Sequence, residues 1–270
     1  MLRKLDLVIW TYNGSKKLEK TLPRIDEVIP SKVVRKKIAS DDHSTDDTVE
    51  ILKQHGWAVH LNQRERGVGY NANNALLKAK TEFVSCFEQD LLLARNWWAE
   101  LSKELYKSEN NDVALFVGLR LPNHPVAKTF MKYRNDIALN LGEPPTPMDN
   151  TILRMKAVRQ VGGLPFVKFA GMDTLLRERF LTNGWRYLVK SNVVSVHLRE
   201  SLKEELNHFY GYFKTNPTFD RSIDAKIKMW TLFMQSPFAA IKLALKTRDL
   251  NMLWYYPLVR KRMLQGFLDA

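Results

Sequence analysis

An α/β fold with a mostly parallel central sheet flanked by helices is what this 270-residue sequence predicts. Three observations carry that reading. Over the first 120 residues, short apolar runs alternate with amphipathic segments, as strands alternate with helices. Polar and acidic residues follow several of those runs directly, where ligand-binding loops lie at the carboxyl ends of parallel strands. The composition is globular: 45% hydrophobic and 26% charged residues exclude pervasive disorder and fibrous repeats.

The elements follow in order. Leu5–Trp10 is apolar enough for a buried strand. Ser15–Ile29 reads as a helix with Ser15 as N-cap, because Leu18, Leu22, Ile25 and Ile29 recur at steps of three and four. Val33–Ala39 is a second strand, laced with Arg35, Lys36 and Lys37. Ser44 and Thr45 are suited to cap the next helix, with Asp46 and Asp47 in its first turn facing the helix dipole. Trp57–Leu61 is a third strand, Asn71–Lys80 a helix, Glu82–Phe87 a fourth strand, Asn96–Tyr106 a helix and Val113–Gly118 a fifth strand. Prolines at 122, 125, 144, 145 and 147 mark loops. Strand and helix patterns resume over 151–197. Residues 199–270 read as all-helical and aromatic-rich. The domain boundaries expected are therefore 1–198 for an α/β domain and 199–270 for a helical appendage.

The carboxylates at predicted strand ends are the most informative chemistry. Asp41 and Asp42 follow one strand and Glu88 and Asp90 another. Hard oxygen ligands in such turns suit Mg²⁺ or Mn²⁺ held against a diphosphate. Either pair alone would equally describe a solvated acidic turn; two pairs at equivalent strand ends make the site reading stronger. A bare Gly67-Val68-Gly69 without a third glycine is weak ground for a dinucleotide site. Trp97 and Trp98 read as helix packing.

The stretches VIWTYNGSKKLEKTL, IASDDHSTDDTVEIL, RGVGYNANNALLKAKTEFV and SCFEQDLLL resemble the successive signatures of family 2 glycosyltransferases of the GT-A fold. VGGLPFVKFAGMDTLLRERFLTNGWRY and VVSVHLRES resemble later family segments, so the resemblance covers roughly residues 5–200. It implies a GT-A-type domain and an inverting, hexosyltransferase-type enzyme dependent on Mg²⁺ or Mn²⁺. Its donor would be a UDP- or GDP-sugar and its acceptor a lipid-linked molecule, glycan or polysaccharide. By the same resemblance, Thr11, Tyr12, Asn13, Asp41, Asp42, Arg66, Gly67, Asn73, Glu88, Gln89 and Arg179 would bind the nucleotide sugar. Asp90, Glu88 and His197 would ligate the metal, and Asp173 would be the general base. As simpler alternatives, Asp173 could only cap its helix and His197 could be a satisfied core histidine.

This sequence departs from the family pattern at several places. Glu88 stands where aspartate is usual, so its contact could shift from metal to ribose. Trp10 replaces a common proline. His43 replaces a common glycine, so the turn must do without an easy positive φ. The Q-x-x-R-W signature of processive polymerases is absent.

The charge of +13 is uneven: residues 1–100 hold 16 Lys/Arg against 14 Asp/Glu, and residues 199–270 hold 12 against 7. A nearly neutral first part and no recognised binding motif argue against a nucleic-acid module. The basic, aromatic C-terminal helices fit a membrane surface, with packing on the catalytic domain or a second subunit as the alternative. No stretch reaches the roughly 20 apolar residues of a membrane span, and the apolar run at the N-terminus is too short for a signal peptide. The single Cys86 excludes an internal disulfide and fits a reducing, cytoplasmic setting, with peripheral contact on the inner membrane face. A non-catalytic nucleotide-binding relative is the competing function.

Overall fold

The computed structural model describes residues 4–63, 66–168, 170–199 and 201–270. Phe169 and Glu200, inside two of the quoted stretches, lie outside the described residues. In chain order the elements are β1 (Leu5–Thr11), α1 (Ser15–Val28), β2 (Val34–Asp41), α2 (Thr48–Gln54), β3 (Ala58–Leu61), α3 (Val68–Leu76), β4 (Phe83–Glu88), β5 (Leu91–Leu92), α4 (Trp97–Leu101), β6 (Val113–Pro122), α5 (Pro125–Asn140), β7 (Asn150–Arg154), α6 (Met155–Gln160), α7 (Met172–Thr182), β8 (Arg186–His197), α8 (Leu202–Thr215), α9 (Ile223–Met234), α10 (Ser236–Thr247) and α11 (Met252–Leu268).

The strand order is β3-β2-β1-β4-β7-β6-β8-β5. Strands β3, β2, β1 and β4 pair in parallel. Beyond them β7 runs antiparallel to both β4 and β6, and β5 antiparallel to β8. The expected α/β sheet flanked by helices is present, and its parallel part is where the sequence pattern was clearest. Periodicity marks a segment as a strand but does not encode its partner or direction, so the antiparallel pairings of β7 and β8 are not legible from it.

The chain divides into two compact units. The first runs to Arg120 and adds 146–168 and 172–198; the second holds 121–145, the short stretch ending at Gly171, and the chain from 199 onward. The helical unit therefore recruits α5 as well as the C-terminal residues.

In the first unit, β1 is buried on both faces, which explains its unbroken apolar run. Val8 and Trp10 point into one core layer with Ala72, Leu76 and Leu176. Leu5, Leu7 and Ile9 point into the other with Leu18, Leu22 and Trp97. The exception is Asp6, fully buried and paired with both Arg35 Nε (2.8 Å) and Arg35 Nη2 (2.7 Å). Trp97 is fully buried, as helix packing requires.

Helix α2 starts three residues later than Ser44 and Thr45 suggest. Ser44 Oγ donates to Asp41 and Thr45 N donates to Asn13 Oδ1, so both are spent on loop bonds. Asp46 serves the helix start instead, accepting from Thr48 N (3.1 Å), while its other oxygen accepts from Ser15 N (3.1 Å). One aspartate thus ties the beginnings of α1 and α2 together. Helix α1 itself starts after Gly14, without a side-chain cap.

In the second unit, Phe130 makes edge contacts with Phe209, Tyr255 and Tyr256. Gly266 lets α11 approach α8: a Cβ there would lie 2.1 Å from the Tyr210 carbonyl oxygen. Among the described residues, no helix is long and apolar enough to cross a membrane.

Candidate active site

The site lies at the carboxyl ends of β1, β2 and β4, where parallel strands deliver polar residues to one edge. Two non-glycine residues there adopt positive φ, Asn13 at 46° and His43 at 65°. Asparagine and histidine are among the non-glycine residues that adopt this conformation most readily, and local hydrogen bonds hold both here. The turn that lacks the usual glycine therefore keeps the positive φ. His43 Nε2 is held 2.7 Å from the Asn62 carbonyl oxygen.

Asp41 is fully buried and braces this loop. Its Oδ1 accepts from Ser44 N (2.7 Å), and its Oδ2 accepts from Thr11 Oγ1 (2.8 Å) and Ser44 Oγ (2.6 Å). Asp42 accepts from Asn62 Nδ2 (2.9 Å) and Gly67 N (3.2 Å). Tyr12 is half exposed, with the Arg66 guanidinium 6.0 Å from its ring centroid. Gln89 clamps the same loop: its Oε1 accepts from Tyr12 N (2.8 Å) and its Nε2 donates to Tyr12 O (3.0 Å).

The glycines after Arg66 serve a close backbone approach. Val68 N donates to Lys168 O (2.8 Å) and Gly69 N to Val167 O (2.9 Å). A Cβ on Gly67 would lie 2.6 Å from Lys168 Cα, and one on Gly69 2.4 Å from Pro165 O. Asn73 is buried, and both ends of its amide are spent on the Leu164 backbone (2.7 and 3.0 Å). It positions the wall from behind.

The acidic residues at the end of β4 and in the turn after it converge with groups distant in sequence. His197 Nε2 lies 3.0 Å from Asp90 Oδ1 and 3.9 Å from Glu88 Oε2. Leu198 N, at the end of β8, donates to Asp90 O (2.8 Å), which fixes that juxtaposition through the backbone. Lys17 Nζ lies 3.6 Å from Asp90. Asp149, fully buried, is paired with Arg120. Single oxygen or nitrogen atoms of Glu88, Asp149 and His197 lie within 4.8 Å of one another. Burial pushes the Glu88 carboxyl up to about 8, with Asp149, Asp90 and Asp173 adding to the shift and Arg120 opposing it. Burial works against the Arg120 charge, but Asp149 and Glu88 outweigh it and raise this guanidinium.

Asp173 sits in the first turn of α7, where its Oδ1 accepts from Thr174 N (3.0 Å). Its charge adds, as the smallest contribution, to raising both Glu88 and Arg120. Arg179 does not join this cluster. That residue is exposed in the last turn of α7, about 9 Å farther along the axis.

Asp149 and Arg120 were not among the sequence-selected residues. Antiparallel register explains both: Phe87 pairs with Asn150, so Asp149 abuts Glu88, and Val117 pairs with Thr151, so Arg120 reaches the same edge. Asn150 locks this arrangement, accepting from Trp97 Nε1 (2.8 Å) and Ser195 Oγ (2.9 Å).

The donor set fits a divalent cation. It offers carboxylates and an imidazole, and Asp149 Oδ2 is a buried oxygen with no hydrogen-bond partner among the described residues.

Comparison with known proteins accords with this geometry. The TarP poly(ribitol-phosphate) β-N-acetylglucosaminyltransferase of Staphylococcus aureus (strain N315) is 23% identical over 202 residues. That match takes in 71% of this chain and 61% of the relative, so the chain spans about six-tenths of that protein's length. Among solved structures, the mannosyltransferase PcManGT from Pyrobaculum calidifontis, in complex with GDP-Man and Mn²⁺, superposes with a TM-score of 0.66 at 19% identity, over 97% of this chain and 87% of that one. S. aureus TarS 1–349 in complex with UDP-GlcNAc gives 0.59 at 16%, over 98% and 89%. These likenesses bear on the fold. Residues 6–162, which carry the strand-end carboxylates and Asp149, match the model of glycosyl transferase family 2, and the chain belongs to that family.

Proposed function

We propose that this glycosyltransferase moves a hexosyl unit from a UDP- or GDP-sugar to an acceptor hydroxyl, with inversion and with Mg²⁺ or Mn²⁺. The observation that carries the reading is the convergence of Glu88, Asp90, Asp149, Asp173 and His197 from separate stretches of chain. Structural neighbours bound to GDP-Man with Mn²⁺ and to UDP-GlcNAc support a nucleotide-sugar donor.

Asp90, Glu88, Asp149 and His197 would hold the ion. Bound there, it supplies positive charge against the leaving nucleoside diphosphate. The remaining steps belong to the chain's own residues. The loop of Thr11, Tyr12 and Asn13, braced by Asp41 and clamped by Gln89, forms the nucleotide side of the site. Tyr12 and Arg66 offer a flat surface to the base, and Asp42 sits beside it. Gly67 keeps the diphosphate wall narrow, with Asn73 behind it. Asp173 accepts the proton of the acceptor hydroxyl as that oxygen bonds to the anomeric carbon and the bond to the diphosphate breaks. The pocket holds donor and acceptor in line.

The acceptor is a lipid-linked or glycan molecule at a membrane surface. Supporting that is a row of exposed apolar residues on α9 and α10, from Ile227 to Leu245. A thermal-shift screen of UDP-, GDP- and dTDP-sugars with and without Mn²⁺ tests the donor reading. A metal-dependent rise for UDP- or GDP-sugars is expected. No shift with any nucleotide would leave only a protein of the family fold that has lost its donor.

A further inference from the structure

The second unit contains a cavity of about 420 Å³ that the catalytic reading does not use. It opens between α5, α8, α10 and α11, with Phe130 and Met263 among the apolar residues of its wall. Four cationic side chains from three helices line it: Arg134 of α5, Lys242 and Lys246 of α10, and Arg260 of α11. No carboxylate lines it among the described residues. None of the four forms an ion pair with a carboxylate among the described residues.

Like charges gathered without a counterion are unfavourable, and here they are held in place. Arg260 donates through Nε (2.9 Å) and Nη2 (2.7 Å) to the Tyr256 hydroxyl, which fixes its guanidinium at the cavity. The Arg134 guanidinium lies 5.8 Å from the Phe130 ring centroid. Surrounding protein and the field of Arg260 both disfavour the Arg134 charge, and only Tyr212 and Tyr256 favour it. Concave, aromatic-walled and multiply cationic, such a cavity matches a compact anion rich in hydrogen-bond acceptors, which is the chemistry of a phosphate ester.

A second observation says how that phosphate is presented. Ile227, Trp230, Met234, Phe238, Ile241 and Leu245 recur at steps of three and four along α9 and α10, each about half exposed or more. Lys242 and Lys246 directly follow Ile241 and Leu245, so the apolar row adjoins the cavity's cations. An apolar row beside a phosphate-sized cationic cavity is complementary to an amphiphile, not to a free ion. We propose that the cavity formed by Arg134, Lys242, Lys246 and Arg260 binds the phosphate of an anionic lipid headgroup while the α9–α10 row enters the lipid surface. This deepens the membrane-surface part of the proposed function and rests on it.

The test is flotation of the full chain with neutral phosphatidylcholine vesicles and with vesicles containing phosphatidic acid, at about 0.15 M salt so that long-range charge is screened. Two double variants remove equal charge: Arg134→Gln/Arg260→Gln in the cavity and Lys226→Gln/Lys228→Gln on α9. The cavity pair should lose roughly a hundredfold in affinity for phosphatidic acid vesicles and the α9 pair about tenfold or less. Soluble glycerol phosphate should compete with wild type. Melting temperatures of the cavity variants should equal or exceed wild type, because repulsion is relieved. Equal losses for both pairs would overturn the cavity while leaving membrane contact standing. Wild type that never floats would overturn the membrane reading itself. A rise in melting temperature with inorganic phosphate, without flotation, would overturn the lipid source.

Discussion

Replacing Arg120 by alanine tests how the site's charges are balanced. Asp149 is fully buried, one of its oxygens is paired with Arg120, and the other has no hydrogen-bond partner among the described residues. Removing the guanidinium leaves a buried carboxylate beside Glu88 with its counter-charge gone. Breaking a fully buried pair costs about 3–5 kcal/mol. The Arg120 side chain is 26% exposed, so water can reach part of the gap and the low end, about 3 kcal/mol, applies. For a chain of this size that lowers Tm by about 6–12 °C. Asp149→Asn alone should cost less, about 1–2 kcal/mol, because Arg120 still faces Glu88 and Asp173. The double variant should be less destabilised than the sum, with a coupling of about 2 kcal/mol. Urea unfolding followed by circular dichroism in chelator-treated buffer measures all four states. Millimolar Mn²⁺ should narrow the Arg120→Ala loss, since a cation replaces the missing charge. Additive single effects, or an Arg120→Ala loss below about 1 kcal/mol, would refute the reasoning.

Three further outcomes follow from the same geometry. Gly69→Ala should destabilise by about 3 kcal/mol, because its Cβ would meet Pro165 O at 2.4 Å and disturb two backbone bonds to 167–168, whereas Gly184→Ala, with open space around it, should cost about 1 kcal/mol; equal costs in urea unfolding would contradict this. Glu104 is held down at about 2, chiefly by its bond to Lys107 and then by Lys190, against an ordinary value of 4.5. Its stabilisation is therefore complete above about pH 4.5 and lost as pH falls towards 2; with Lys107 largely solvated it amounts to about 1–2 kcal/mol, and Glu104→Gln should flatten that part of the stability–pH curve. Asp173→Asn should lower transfer by about 10²–10⁴-fold with nucleotide affinity within about threefold of wild type, and unchanged turnover would remove it from the role of base.

The parallel half of the fold was legible because buried strands and amphipathic helices carry opposite periodicities. Leu5–Thr11 and Ser15–Val28 lie close to where that pattern puts them. Capping was less legible. Ser44 and Thr45 are good cap residues, but tertiary bonds to Asp41 and Asn13 claim them, and Asp46 does the work. His43 shows the limit of reasoning from one residue type: the loop keeps its left-handed turn because neighbouring bonds over-determine it. In the site, Glu88 and Asp90 could be selected from strand ends, and His197 through the family resemblance. Asp149 and Arg120 could not, because their position depends on β7 entering the sheet antiparallel, beside β4. Arg179 is implied by the family resemblance alone, and the helix carries it to the exposed last turn of α7, away from the first turn that holds Asp173.

The central claim is that these separated acidic groups form one cation site. Calorimetric titration of Mn²⁺ into the UDP-saturated protein tests it most directly, with Asp90→Asn, Asp149→Asn and His197→Ala beside Asp112→Asn as the distant control. One ion per chain is expected, weakened at least about tenfold by each site variant and unaffected by the control. Equal Mn²⁺ affinity in all of them would contradict the account.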